Sequence, residues 1–370
     1  MPNSPIRSAC CKRFALGLAL SFCVLPVQVL AAEEEDYEHT RCGKKPGVRE
    51  LKNYPDVYNF YFENDLFAGT DNNYTNGVKL SWVSANLEDY ISDPCLPKWI
   101  RRLNHFSRHL QPGDFESRNM VVTGGQQIYT PTDHTRSDLI TNDRPYAGWL
   151  YLGLAYNART EKEMETVEIN VGMVGPASLA RQSQDLIHKW RGIYRFQGWN
   201  NQLNNELGIL YVREKKRRVM QIHDAGALKF DAITHYGYAL GNVKTYANAG
   251  VEMRIGNFLP NDFGTSPIRP ASESNAPLPV NSSRRLAQGG LHGFVSVDAR
   301  AMAHNIFLDG NTFSDSHSIP KRYFVGDVAA GIAWQWRGGK ITYAQYLRSK
   351  EFRGQVKPQS FGSITVSFEY

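Results

Sequence analysis

The chain has 370 residues, 42% hydrophobic and 21% charged, with a formal net charge of +6 and a mean hydropathy of −0.44. That balance excludes a bundle of membrane helices, because beyond the N-terminus no run reaches the ~20 apolar residues a spanning helix needs.

The N-terminus differs from the rest. Arg7, Lys12 and Arg13 precede an apolar run from Phe14 to Leu30 that closes on Ala31-Ala32. A basic stretch, an apolar stretch and a small-residue site together make a secretory signal, so residues 1–31 are expected to be removed on export. The charge then falls from +6 to +3, too small an excess to argue for nucleic acid. Of the five cysteines, Cys10, Cys11 and Cys23 leave with the signal, and Phe22 is too bulky beside Cys23 for a lipoprotein site. Cys42 and Cys95 remain, a pair that an oxidising compartment can join or leave as thiols. Residues 32–54 read as a periplasmic segment and 55–370 as one domain.

Period-2 segments dominate that domain. In chain order they are Val57–Asp65, Val78–Asn86, Met120–Tyr129, Trp149–Arg159, Glu163–Val174, Asn204–Glu214, Phe230–Leu240, Lys244–Ile255, Leu291–Ala303, Tyr323–Trp336 and Lys340–Arg348. In the last segment Ile364, Val366, Phe368 and Tyr370 alternate with Ser363, Thr365, Ser367 and Glu369. Tilted membrane strands need ~9–11 such residues, longer than ordinary soluble strands. A soluble β-sandwich also alternates, but strand length, an export signal and an aromatic C-terminus favour an all-β, closed antiparallel transmembrane barrel of about twelve strands. An even count puts both termini on the periplasmic side. Segments around 66–75, 130–147, 175–203, 303–321 and 349–359 then lie outside. Leu87–Arg118 and the Pro-, Ser- and Asn-rich Gly256–Gln288 fall on the periplasmic side, where connections are usually short. One outer segment is helical in pattern: Pro176 opens Ala177–Tyr194, with Leu179, Leu186, Ile187, Trp190 and Ile193 at helical spacing. It reads as a short surface helix over the barrel rim.

Three clusters could carry chemistry. Gln184 and His188 are four apart on that helix and share a face; the histidine is either a general base near neutral pH or a plain interfacial side chain. Glu63-Asn64-Asp65, with Asp71-Asn72-Asn73-Tyr74-Thr75-Asn76-Gly77, concentrates oxygen ligands of the kind Ca²⁺ prefers, though turn chemistry alone also explains it. The loop from Tyr129 to Arg136, followed by Asn142-Asp143-Arg144, offers guanidinium forks for a phosphate, or an Asp–Arg pair that orders the loop. The barrel brings all three to one outer rim.

Taken together these motifs resemble the outer-membrane lipid A 3'-O-deacylases. The resemblance lies in Glu63-Asn64-Asp65 with Asp71, Tyr74-Thr75-Asn76-Gly77, Gln126-Gln127-Ile128-Tyr129-Thr130-Pro131, Asp143-Arg144, and Val174-Gly175-Pro176 followed by Gln184 and His188. Order and spacing agree from about residue 55 to 206. The resemblance implies a twelve-stranded, Ca²⁺-dependent outer-membrane barrel that hydrolyses the ester holding the 3'-linked acyloxyacyl group of lipid A. It implies His188 as the base that activates water, Gln184 beside it, Asn64 and Asp65 at the calcium and the oxyanion, and Thr75 in the same pocket. Glu63 joins the metal set, and Tyr74, Arg136 and Arg144 line the substrate. Two departures stand out. Ser137 follows Arg136 where the family has a Lys-Arg pair, and Tyr194 replaces a glutamate six residues after the histidine, leaving Glu206 or Glu63 as acidic candidates.

The expected partners are lipopolysaccharide and the outer membrane, with the protein a monomer. The rivals are a serine phospholipase and a non-enzymatic porin-like barrel. No Gly-x-Ser-x-Gly and no His-x-Ser-Asn-Gly occurs in the chain.

Overall fold

The computed structural model describes residues 56–68, 73–93, 96–113, 115–192, 194–225, 228–265, 267–269, 271–273, 289–336 and 338–369. The signal, the 32–54 segment, Cys42, Cys95, Asp71, Asn72 and Tyr370 lie outside the described residues.

Twelve antiparallel strands close into a barrel. They are β1 Val57–Asn64, β2 Asn73–Val83, β3 Ser117–Thr130, β4 Ala147–Arg159, β5 Glu163–Val174, β6 Glu206–Ala225, β7 Leu228–Gly241, β8 Lys244–Gly256, β9 Gly290–Asn305, β10 Phe324–Trp336, β11 Gly339–Arg348 and β12 Gln359–Glu369. Each pairs with its sequence neighbours, and β1 meets β12 with Val57 opposite Glu369 and Asn64 opposite Gly362. Closure leaves no strand edge, as hydrocarbon demands.

Alternation gives the wall two chemistries. Tyr58 and Phe60 on β1, Leu80 on β2, Leu150 and Leu152 on β4, Ile332 and Trp334 on β10 and Leu347 on β11 are exposed apolar side chains. They form an outward apolar belt, the lipid face of an outer-membrane barrel. Inward positions are charged and paired. Arg254 donates to Asp231 at 2.8 Å and also pairs with Asp262, Lys340 donates to Asp262 at 2.8 Å, and Arg348 to Asp327 at 2.9 Å.

The described residues of the long β8–β9 connection turn into the lumen. The Ile268 N–H donates to Glu63 at 2.6 Å, the Ala271 N–H to Glu168 at 2.6 Å, Arg269 to Glu214 at 2.5 Å, and Tyr61 to Glu273 at 2.8 Å. Residues 267–269 and 271–273 are therefore an internal plug rather than part of a periplasmic loop. Its polar sequence suits a charged lumen.

The connection between β2 and β3 carries the helix α1, Lys98–Phe106, which sequence patterning left as loop. It packs outside the wall. Leu87, Tyr90, Leu96 and Ile100 cover Met120 and Tyr156, whose even positions on β3 and β4 face outward with Val122 and Leu152. Asn104, fully buried, bonds the Tyr90 carbonyl at 2.6 Å and accepts from Tyr156 at 2.8 Å.

Strand bounds agree with expectation over most of the ring and differ in two places. β2 begins at Asn73 rather than Val78, because a bulge between Tyr74 and Asn76 absorbs the polar run. β6 runs on through Arg213–Arg218 to Ala225, since Glu165 on β5 neutralises Arg213 at 2.5 Å and Lys215 at 3.5 Å.

Arg254 holds two acidic partners in a buried setting. Arg254→Met is expected to destabilise the barrel by about 3–5 kcal/mol, the usual consequence of stranding buried charge. Heat-dependent gel mobility of the folded barrel measures it. An unchanged transition would show that the lumen pairs add nothing.

Candidate active site

The outer ends of β1–β4 place the candidate residues, and strand parity sorts them. On β1, Val57, Asn59, Tyr61 and Glu63 face the lumen, whereas Tyr58, Phe60, Phe62 and Asn64 face out. Glu63 accepts from Tyr74 at 2.7 Å as well as from the plug, and the Tyr74 ring packs edge-on to Phe361 at 5.3 Å inside the barrel. Glu63 and Tyr74 are thus structural partners in the lumen. Asn64, the next residue on β1, faces the other way, because adjacent strand residues point to opposite faces.

Asn64 ends β1. Its side-chain oxygen accepts the Leu66 N–H at 2.8 Å, an Asx turn that opens the 3-10 turn Asp65–Ala68. Asp65 in that turn is fully buried. Asn76 pairs with Asn64 across the ladder, and at the bulge the hydroxyls of Thr75 and Thr130 meet at 2.7 Å. The outer lip thus gathers a carboxylate, amides and hydroxyls.

Pro176–Ser178 forms a 3-10 turn, and the helix α2 follows at Ala180–Arg191, shorter at both ends than the expected Ala177–Tyr194. It ends on Gly192 at φ 68°, the left-handed cap that glycine adopts without strain. Rather than crossing the rim, α2 lies against the exterior of β3 and β4. Ala180, Phe196 and Trp199 bury the outward Ile128, and Gln126 donates to the Ser178 carbonyl at 2.6 Å. Gly148 on β4 permits this approach: a Cβ there would run into Ala180 Cβ and Ser178 Oγ.

Gln184 and His188 lie buried on the inner face of α2. The His188 Nδ1 is 2.8 Å from the Tyr194 carbonyl. Because a carbonyl only accepts, Nδ1 carries the proton and Nε2 is the basic nitrogen. Phe196 packs edge-on to His188 at 4.7 Å and stacks on His134 at 4.1 Å. The Trp199 indole donates to Gln184 Oε1 at 3.0 Å, which orients the amide and leaves Nε2 with no hydrogen-bond partner among the described residues. Sequence reading does not single out Trp199 and Phe196; an aromatic pair inside a polar loop is the available signal.

The basic candidates separate. Arg144 is fully buried, donates to Glu351 at 3.2 Å and lies 4.7 Å over the Tyr129 ring. It orders the mouth of the lumen, with Glu351 rather than an aspartate as its side-chain partner. Arg136 is exposed and pairs with Asp138, whose carboxyl that guanidinium holds below its ordinary range. Glu206 accepts from Asn242 at 2.8 Å and from Thr312 at 2.9 Å, which ties β6 to the loop before β10. No group of three or more His, Cys, Asp or Glu side chains among the described residues is arranged to hold a metal.

What these elements define is an outer-membrane β-barrel with a histidine-bearing helix packed on the membrane side of its wall. The chain belongs to the family described as outer membrane protein LpxR, whose model matches residues 16–370; this is the lipid A 3'-O-deacylase family its motifs resemble. Among solved structures it is similar to LpxR from Salmonella typhimurium, at 15% identity and a TM-score of 0.66, covering 85% of this chain and 100% of that one. The β domain of the Bordetella autotransporter BrkA matches more weakly, at 7% identity and a TM-score of 0.39, covering 85% of this chain and 99% of that one. No curated relative matches the sequence.

The Gly148 contact is testable. Gly148→Val is expected to lift α2 from the wall while the barrel still folds, exposing the 180–191 segment to protease with unchanged heat-dependent mobility. Protection equal to the parent protein would show that the helix does not depend on this approach.

Proposed function

We propose that the protein is a Ca²⁺-dependent esterase that removes the 3'-linked acyloxyacyl group of lipid A by His188-activated water. What supports this reading is an oriented histidine and an oriented glutamine on a helix packed outside β3 and β4, on the same side of the wall as Asn64 at the outer end of β1 and beside the strand whose bulge carries Thr75. An acylated lipid reaches this face laterally, without leaving the membrane.

Water attacks the ester carbonyl and gives its proton to His188 Nε2, and the same proton then goes to the departing sugar oxygen. The products are a free acyloxyacyl acid and a 3'-hydroxyl. The Tyr194 carbonyl bond holds the ring in its basic tautomer and favours the imidazolium that forms. Gln184 Nε2 is a donor for the oxyanion.

The lip fits a hard cation in kind: Asp65 brings a carboxylate, and Asn64 and Thr75 bring neutral oxygens. With Glu63 in the lumen the set holds one carboxylate among the described residues. Ca²⁺, when bound there, supplies positive charge opposite the oxyanion.

Mass spectrometry of lipid A from expressing cells tests the reading. The parent protein should yield lipid A lighter by the acyloxyacyl group, and His188→Ala should reduce the rate by about 10²–10⁴-fold. Trp199→Phe should lower the rate about three- to tenfold, the equivalent of one hydrogen bond. Chelation with EGTA should stop the reaction and added Ca²⁺ restore it. Unaltered lipid A, together with ion conductance across planar bilayers, would favour a porin.

A further inference from the structure

The helix α1 sits at the periplasmic end of the barrel, far along the wall from the catalytic lip, and the proposed reaction makes no use of it. Trp99, Leu103 and Phe106 are spaced i, i+4, i+7, so they share one face. They are 67%, 45% and 83% exposed, unusual for three large apolar side chains on nine residues. Asn104 and Ile100, on the opposite side, hold the helix against Met120 and Tyr156.

Position decides what covers the free face. α1 packs on the lipid side of β3 and β4, so its apolar row continues the belt formed by Val122 and Leu152 on the same strands. The charges on the helix have one sign: Lys98 and Arg102 are exposed beside the row. A soluble partner would have to approach through the bilayer edge. A lipid leaflet is already there.

We propose that α1 is an interfacial helix seated in the periplasmic leaflet, with Trp99, Leu103 and Phe106 among the acyl chains and Lys98 and Arg102 on the phosphates of anionic glycerophospholipids. An apolar face with cationic flanks is the pattern of helices that lie in the membrane plane, and each basic residue near an anionic surface adds to the attraction. The barrel then grips both leaflets on one side, with α2 in the outer and α1 in the inner.

The full mature protein is reconstituted in phosphatidylcholine vesicles with and without phosphatidylglycerol, using lipids brominated near the carbonyl end of the chains. Tryptophan emission of the parent protein minus that of Trp99→Phe isolates Trp99. That component should be quenched by the brominated lipids and protected from acrylamide. Brominated phosphatidylglycerol should quench it more than brominated phosphatidylcholine, and the paired substitution Lys98→Glu and Arg102→Glu should reduce that preference by up to about fivefold per position. Equal heat-dependent gel mobility of the variants confirms folded barrels. A Trp99 component quenched by acrylamide and not by brominated lipid overturns the seating and points to a protein partner. Equal quenching by the two lipids, unaltered by the charge reversals, overturns the headgroup contact.

Discussion

One constraint governs this molecule: a closed sheet has two faces, and a residue on it belongs to one or the other. Alternation sends Glu63 into the lumen and Asn64, its neighbour in the chain, toward the membrane. The same rule puts Tyr129 among lumen aromatics and Ile128 beneath α2. Chemistry on a lipid substrate needs the outer face, and charge needs the inner one. Neither could be arranged without a ring that leaves no backbone group unpaired in hydrocarbon.

The lumen shows what that division requires energetically. Charged side chains removed from water need partners, and the described interior supplies them in alternating sign: Glu63, Glu168 and Glu214 meet backbone N–H groups or Arg269 of the plug, and Arg254 meets Asp231 and Asp262. The plug serves as a counter-surface, offering donors where the wall is acidic. Arg144 belongs to the same economy at the outer mouth, where its partner Glu351 comes from the loop between β11 and β12.

Most of the ring was legible in the sequence because alternation over long segments is a strong signal. Boundaries failed where polar residues sit in ordered strand: the Asn-rich start of β2, hidden by a bulge, and the basic run of β6, whose charges are balanced by Glu165 on the next strand. Sequence patterning misses α1 because Trp99, Leu103 and Phe106 are exposed while Asn104 is buried, inverting the usual pattern. The motifs name His188 and Gln184, which stand on α2 outside β3 and β4, and Asn64, Asp65 and Thr75, which stand at the outer ends of β1 and β2. Strand parity turns Glu63 and Tyr74 into the lumen and burial sets Arg144 against Glu351, distinctions that motif spacing does not encode. That Trp199 and Tyr194 orient Gln184 and His188 depends on how the loop after α2 folds back, and no local pattern encodes that.

The plug also acts as a buttress. Its Ile268 N–H meets Glu63, the residue that directly precedes Asn64, so the membrane-facing lip is braced from behind by a segment that enters at the opposite end of the barrel. Rigidity at that lip is thereby supplied from inside the cylinder rather than by the loops outside it.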